Sequence, residues 1–558
     1  MADRDPSIGA TPSSPRLSRR QALRTTGTGL ALAAAAAGAS NRARAQSATP
    51  EATPAAPLPD QMLGTVTPER AALAVSRVRE YAEELLAQTG VPGLAAAVVY
   101  NDEVLLAEGF GVREIDTDER VDADTVFQAA SVSKSIAATV VSSVVGDGAI
   151  SWNSTLAEIA PGFALADAWT TENVTLADLF AHRSGLPDHG GDILEDVGFP
   201  QAEILHRLRY LPPAYSFRAG YKYTNFGLTA AAEAAATAAG TPWADLSRER
   251  LYEPLGMAHT SSLFSDYIEQ VNRAIPHVQV DGGWRVTPMQ RDPDAQTPAG
   301  GVSSTVNDLA QWIRFLFGAG TVDGVEVVPA AALIPVHTPQ IVRMPLTDPA
   351  TQFASFYGLG TNLSYTRFGT PQWGHSGAFA LGAGTAYYVL PASGFGVVAL
   401  TNGSAIGVAE AICLDTLDIA QLGVVSRDWM TTMAPIFAAA LSPTYGGGID
   451  WASPPAPPTP ALPNATYVGS YQNDFYGEVQ IVEAADGLML RIGPQPREFS
   501  LSHYDRDTFS WQPEGENAAG RSPLTFIIGP DGVATSFDDG YLASGGPGIL
   551  TKEVPAES

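Results

Sequence analysis

Ser453-Pro-Pro-Ala-Pro-Pro-Thr-Pro460 is the segment that most restricts what this chain can fold into. Proline lacks a backbone N–H and locks φ, so five prolines in eight residues exclude a helix or an inner strand there. Residues 442–463 therefore read as a semi-rigid linker, and the chain on each side must bury its apolar residues independently. A length of 558 residues agrees with two domains, since a single core rarely grows beyond about 250–300 residues.

Before the linker, Ala71, Val75, Val78, Tyr81 and Leu85 recur three and four apart behind Thr67-Pro68-Glu69, which predicts a helix over 67–88. Apolar runs at 94–100 and 103–109, joined by Asn101-Asp102, predict an antiparallel hairpin. From Ser131 to about residue 320 the pattern is mostly helical. Strand signals return at 357–368, 384–390 and 395–401, and a helix over 406–422 closes the unit. Residues 67–441 thus read as an α+β fold, an α/β sandwich whose antiparallel sheet is built from both ends of the segment, with flanking helices and a helical insertion. After the linker, short runs such as Glu478-Val-Gln-Ile-Val482, Leu488-Met-Leu-Arg-Ile492 and Leu524-Thr-Phe-Ile-Ile528 alternate with Gly and Asp turns. Residues 464–558 therefore form a small all-β barrel or sandwich.

The formal net charge is −27, and the first 45 residues carry seven Arg against Asp3 and Asp5, so the remainder carries −32. Such a surface repels nucleic acid and anionic membranes. Cys413 is the single cysteine, which excludes a disulfide within the chain and a thiolate zinc cluster. His182, Asp188, His189 and Asp192 lie close together but match no metal-binding spacing, so neither metal nor organic cofactor is expected. At the N-terminus, Ser18-Arg19-Arg20-Gln21, an apolar run at 27–38 and Ala43-Arg44-Ala45 form a twin-arginine export pattern with an A-x-A cleavage site. A basic disordered tail is the alternative. The apolar run is short of the roughly 20 residues of a membrane span. Residues 1–45 are thus expected to be removed, residues 46–66 to form a flexible leader, and the mature protein to reside in the periplasm or outside the cell without stable membrane insertion.

Three separated segments carry candidate chemistry. Ser131-Val-Ser-Lys134 sets a hydroxyl and an amine three residues apart, hence on one helix face. Lys134 is one of only three lysines beside 29 arginines, and lysine, unlike arginine, can give up its proton when buried. A helix start with a capping serine and a snorkelling lysine would give the same pattern. Tyr221-Lys222-Tyr223-Thr224-Asn225 supplies a phenol, which a nearby ammonium could bring down by the two or three units a base near neutrality needs from about 10. Trp373-Gly-His375-Ser-Gly377-Ala378 lies before an apolar strand, where two glycines let a substrate backbone approach; a hairpin turn is the plainer alternative. The chain has no Gly-x-Ser-x-Gly elbow, which argues against a Ser-His-Asp enzyme of the α/β-hydrolase type.

The order Ser-x-x-Lys, Tyr-x-Asn, His-x-Gly at 131, 223 and 375 resembles the serine β-lactamase-like superfamily. Within it, the resemblance is to the class C-like penicillin-binding group of D-aminopeptidases, D-Ala-D-Ala carboxypeptidases and esterases. Leu179-Phe-Ala-His-Arg-Ser-Gly-Leu-Pro187, Pro254-Leu-Gly-Met257 and Pro298-Ala-Gly-Gly-Val-Ser-Ser304 extend the resemblance over about 68–425. It implies Ser131 as nucleophile, Lys134 and Tyr223 as proton carriers, and Asn225, His375 and Gly377 as substrate-binding residues. The oxyanion hole would be formed by the backbone N–H groups of Ser131 and Ala378. Class C β-lactamases carry Lys-Thr-Gly where His375 stands, so efficient β-lactam hydrolysis is not implied. Tyr467-Val-Gly-Ser-Tyr471 and Phe475-Tyr-Gly477 resemble the lipocalin-like domain of some of these peptidases, which mediates assembly or borders the active-site entrance; a ligand-binding barrel is the rival reading. The expected function is hydrolysis of small peptides or amides, including D-residue substrates, with homo-oligomerisation through the C-terminal domain. A carboxylesterase, a weak β-lactamase and a noncatalytic scaffold on the same fold are the alternatives.

Overall fold

A computed structural model describes residues 64–553 apart from 347, 349, 351–352 and 443–444. The export pattern at 1–45 and most of the 46–66 leader lie outside the described residues. An eight-stranded sheet runs in the spatial order Glu103–Gly111, Gly93–Tyr100, Phe395–Thr401, Ala383–Leu390, Pro371–Phe379, Asn362–Tyr365, Ser355–Tyr357, Ile341–Met344. All its pairings are antiparallel. The early and late parts of this domain meet at the second and third strands, where Ala96 pairs with Ala399.

Strand Gly93–Tyr100 has no polar alternation because both its faces are covered. Leu94, Ala96 and Val98 turn to a layer holding helices Pro68–Thr89 and Val408–Leu422, while Ala95, Ala97 and Val99 face the larger core. Thr67 caps the first of these helices, its hydroxyl accepting from the Arg70 N–H at 3.3 Å. On the opposite face lie helices Val306–Phe317, Ser133–Gly146 and Asn225–Ala239. The last two are apolar nearly all round, as a helix enclosed by protein must be. No helix among the described residues is long and apolar enough to cross a membrane.

The C-terminal domain is a closed antiparallel barrel of eight strands, from Gly469–Asn473 to Ile549–Lys552. Closure leaves no sheet edge unpaired. Aromatic rings fill its interior, with Tyr467 and Phe526 at 4.7 Å and Phe499 and Trp511 at 4.9 Å between centroids. That packing speaks against the ligand-binding barrel. The barrel and the helical region share one apolar core.

Two local expectations change. Residues 371–379 form an inner strand, so the His375 motif lies within the sheet and not in a turn before it. The glycines that suggested a turn are there for contact: a Cβ on Gly374 would lie 2.6 Å from the Tyr387 carbonyl oxygen. The proline-rich segment forms no helix or inner strand, yet it lies along the barrel and does not hang free. Tyr445 is buried and accepts from the Ala519 N–H at 2.7 Å, and Ser510 donates to the Trp451 carbonyl at 2.8 Å.

Candidate active site

Ser131 sits in a short 3-10 turn, Ala130–Val132, directly before helix Ser133–Gly146. Ala130 has φ +46°, a left-handed conformation that costs an alanine about 1–2 kcal/mol. The neighbours hold it there: the Ala129 N–H donates to Val302 O and the Thr385 hydroxyl to Ala129 O, each at 2.8 Å. Lys134 falls one turn later with its ammonium against the hydroxyl, Nζ to Ser131 Oγ at 3.0 Å and to Ala299 O at 2.8 Å. Its side chain is 0 % exposed, so it does not snorkel. The helix begins at Ser133 with no side-chain cap, which removes the capping explanation for Ser131.

Tyr223 comes from the loop before helix Asn225–Ala239, and its hydroxyl donates to Ser131 Oγ at 2.8 Å. Lys134 Nζ lies 4.6 Å from the centre of its ring. The 179–187 motif builds this loop. His182 accepts from the Lys222 N–H on its carbonyl and from the Thr224 N–H on Nδ1, at 3.0 and 3.2 Å. Asp188 accepts from the Tyr223 N–H at 2.8 Å. Among the described residues no group of three or more His, Cys, Asp or Glu could hold a metal. The His182–Asp192 cluster instead supports the tyrosine loop.

Burial sets the proton affinities. It lowers Lys134 to about 7, opposed by the nearby Asp192 carboxylate. The same burial pushes the Tyr223 phenol well above its ordinary value. The expectation of a phenol lowered by an adjacent ammonium is therefore reversed, because desolvation outweighs the Ser131 hydrogen bond that favours the phenolate. Asn225 donates to Asp192 Oδ2 at 2.8 Å, and His189 Nδ1 lies 2.8 Å from the same oxygen.

Strand Pro371–Phe379 closes the other side. A Cβ on Gly377 would lie 2.5 Å from Ala129 O and 3.0 Å from the Ser131 nitrogen, so glycine is what lets this strand press against the serine turn. Ala378 consequently lines the same pocket as Ser131. His375 lies behind that lining, buried and brought to about 3, first by burial and then by Lys134. A hydrogen-bond chain assigns its tautomer. His182 Nδ1 accepts, so Nε2 donates to the Tyr357 hydroxyl at 3.3 Å; that hydroxyl donates to His375 Nε2 at 2.9 Å, and His375 Nδ1 donates to Ser376 O at 2.6 Å. His375 is thus a neutral strut.

The pocket is a cavity of about 90 Å³ that Asp192, Phe379, Arg291 and Gln296 also border. Glu516 and Asn517 of the barrel complete it. They belong to a connection, 512–521, between strands Thr508–Trp511 and Ser522–Ile528. The Glu516 carboxylate accepts from the Ala380 and Leu381 N–H groups at 2.5 and 3.2 Å. Asp196 accepts from the Glu516 and Asn517 N–H groups and from the Tyr541 hydroxyl at 2.9, 2.8 and 2.7 Å. The resemblance allows for a C-terminal domain bordering the active-site entrance, but nothing in the sequence singles out residues 512–521.

The family model described as Beta-lactamase matches residues 78–415, and the one described as Domain of unknown function (DUF3471) matches 453–541. The protein called Unguisins hydrolase ungD of Aspergillus violaceofuscus is 26% identical, over 81% of this chain and 85% of its own. Penicillin-binding protein 4 of Amycolatopsis lactamdurans is 29% identical over 60% of this chain and 87% of its own. The octameric penicillin-binding protein homologue from Pyrococcus abyssi superposes with a TM-score of 0.54 at 19% identity, over 86% of this chain and all of its own, a likeness of fold.

Proposed function

The chain belongs to the Beta-lactamase family, and on that footing we propose that it is a serine hydrolase opening amide or ester bonds through an acyl-enzyme on Ser131. The observation that carries this is the convergence of Lys134 Nζ and the Tyr223 hydroxyl on Ser131 Oγ, at 3.0 and 2.8 Å. Lys134 is the base. With its affinity near 7 it is about half neutral at neutral pH and takes the serine proton as Oγ bonds to the carbonyl carbon. The carbonyl oxygen, now an anion, is received by the Ser131 and Ala378 N–H groups. Tyr223, which stays protonated, gives its proton to the leaving nitrogen or oxygen as the scissile bond breaks, and the neighbouring Lys134 ammonium then returns a proton to the phenolate. Water then attacks the acyl carbon, its proton passes to the same pair, and Ser131 leaves as a hydroxyl.

Small peptides or amides, D-residue substrates among them, are the proposed substrates, in the class C-like penicillin-binding branch with a lipocalin-like barrel. Asn225 and Gly377 shape the substrate site, while His375 acts behind it. A neutral His375 offers no charge to an anionic ligand, which disfavours β-lactams. Export through the twin-arginine route places the mature chain from Gln46 in the periplasm or outside the cell. Self-association through the barrel is proposed too, since the Pyrococcus abyssi homologue is described as octameric.

The test compares kcat/KM for D-alanine p-nitroanilide and p-nitrophenyl acetate on protein starting at Gln46, with Ser131→Ala as control. Ser131-dependent turnover of the anilide supports a peptidase, and of the ester alone an esterase. Turnover unchanged in Ser131→Ala would contradict the assignment, and silence on both substrates would favour a binding protein.

A further inference from the structure

The eight-stranded sheet has two edges of opposite character. Strand Glu103–Gly111 carries Glu103 and Glu108 at one edge, the latter paired with Arg79, and charges of this kind keep a strand from pairing with another chain. Strand Ile341–Met344 forms the other edge. Among the described residues it pairs on one side only, with Ser355–Tyr357, so a row of its backbone N–H and C=O groups faces outward. Its one charge, Arg343, is engaged by the Tyr221 phenol.

Apolar side chains crowd this second edge. Met344 is 59 % and Phe353 66 % exposed, and Val342, Leu346 and Tyr365 are exposed as well. Val342 lies across from Phe356, whose ring meets that of Tyr365 at 6.5 Å, so these side chains form one patch. Together they expose roughly 500 Å², near the upper end for a patch on a monomer and more than half of the about 800 Å² that each partner buries in a specific interface. Charge selects the occupant. The chain has 59 acids, yet between Glu326 and Glu410 the charged residues are Arg343, Asp348 and Arg367 alone. A net charge of −27 makes copies of the chain repel one another over most of their surface, and here they can meet without opposing rows of acids. A basic partner would be drawn to the acidic surface elsewhere.

We propose that two copies of the chain pair at this edge, their strands Ile341–Met344 antiparallel across a twofold axis, so that two eight-stranded sheets continue as one of sixteen. A strand laid antiparallel on its own copy is self-complementary about such an axis, each copy bringing the outward donors and acceptors that the other lacks. The apolar patches of the two copies then cover each other. Pro339 and Pro345 bracket the four-residue strand, and proline cannot donate to a ladder, which confines the pairing to it. This edge is used up in the contact and the opposite one is charged, so the contact closes on two copies and does not propagate as a fibre. The surface belongs to the first domain and adds to any contact that the barrel makes.

The test is particle mass by sedimentation equilibrium on protein starting at Gln46, at about 100 μM so that mass action favours association. The particle should contain an even number of chains. Met344→Lys, which sets a like charge in each half of the contact, should halve it, and Val104→Lys, at an exposed valine of the opposite edge, should leave it unchanged. Should a variant not fold, amide hydrogen exchange on the unaltered chain decides: the outward amides of 341–344 should exchange at least about tenfold more slowly in concentrated than in about hundredfold diluted protein, while those of 103–111 stay the same. A monomer at every concentration, or exchange at 341–344 that ignores concentration, would overturn the pairing. So would a mass unchanged in Met344→Lys, which would assign the association to another surface.

Discussion

Burial divides the labour between the two groups that touch Ser131 Oγ. Lys134 is lowered to about 7 and Tyr223 is raised, which favours the lysine as the base in the proposed mechanism. A base must be unprotonated, hence kcat/KM should rise as pH increases through about 7 and level off above it. Lys134→Arg, which cannot release its proton, should lose that limb and at least about a hundredfold in kcat. A rate falling with pH across this range would contradict Lys134 as base. Tyr223→Phe should also cost about a hundredfold on the anilide. It should cost less on the p-nitrophenyl ester, whose leaving group departs without a proton; equal losses on both would remove Tyr223 as the acid. Ser131, Lys134 and Tyr223 stood out because they fall in the spaced Ser-x-x-Lys and Tyr-x-Asn motifs and Lys134 is one of only three lysines. Asp192 was not, since its place beside them depends on the fold of the 182–192 loop.

The serine turn and strand Pro371–Phe379 work as one element. Gly377 lets the strand lie against the Ala129–Ser131 backbone, which brings Ala378 to the pocket. Gly377→Ala should therefore separate the two, costing about 10²–10³ in kcat, the loss expected when an oxyanion donor is misplaced. Circular dichroism would check that the fold survives, and a near-normal kcat would remove this strand from the oxyanion site. Hydrophobic periodicity disclosed the helices at 67–88 and 406–422 and the hairpin at 94–109, because their burial is one-sided or complete. It failed at 371–379, where glycines serve close contact and not a turn. It failed also at the exposed edge strand Ile341–Met344, which has little buried surface to write a pattern.

The two domains meet through buried carboxyls. Burial raises Glu195 to about 7 and Glu516 to about 8, each partly offset by Arg291, and Asp196 is raised as well. These groups hold their protons in the folded chain at pH values where an unfolded one, near 4.3 for Glu, has lost them. Their contribution to stability is therefore full below about pH 4 and is lost as pH rises through 7 to 8. The Tm should fall between pH 5 and 9, and Glu516→Gln should flatten that fall; a Tm rising over the range would contradict it. The sequence showed two domains because prolines interrupt it at 453–460. It did not show that a barrel loop completes the pocket, since the chain segments involved lie some 135 residues or more apart, as Glu516 and Ala380 do. The most direct test of the central claim is the intact mass of the whole protein, trapped by acid within the first turnover of p-nitrophenyl acetate and followed by peptide mapping. The account requires one added acetyl group, on Ser131, absent from Ser131→Ala and persisting longer in Tyr223→Phe. An acetyl group on another residue, or turnover with no covalent adduct, would contradict it.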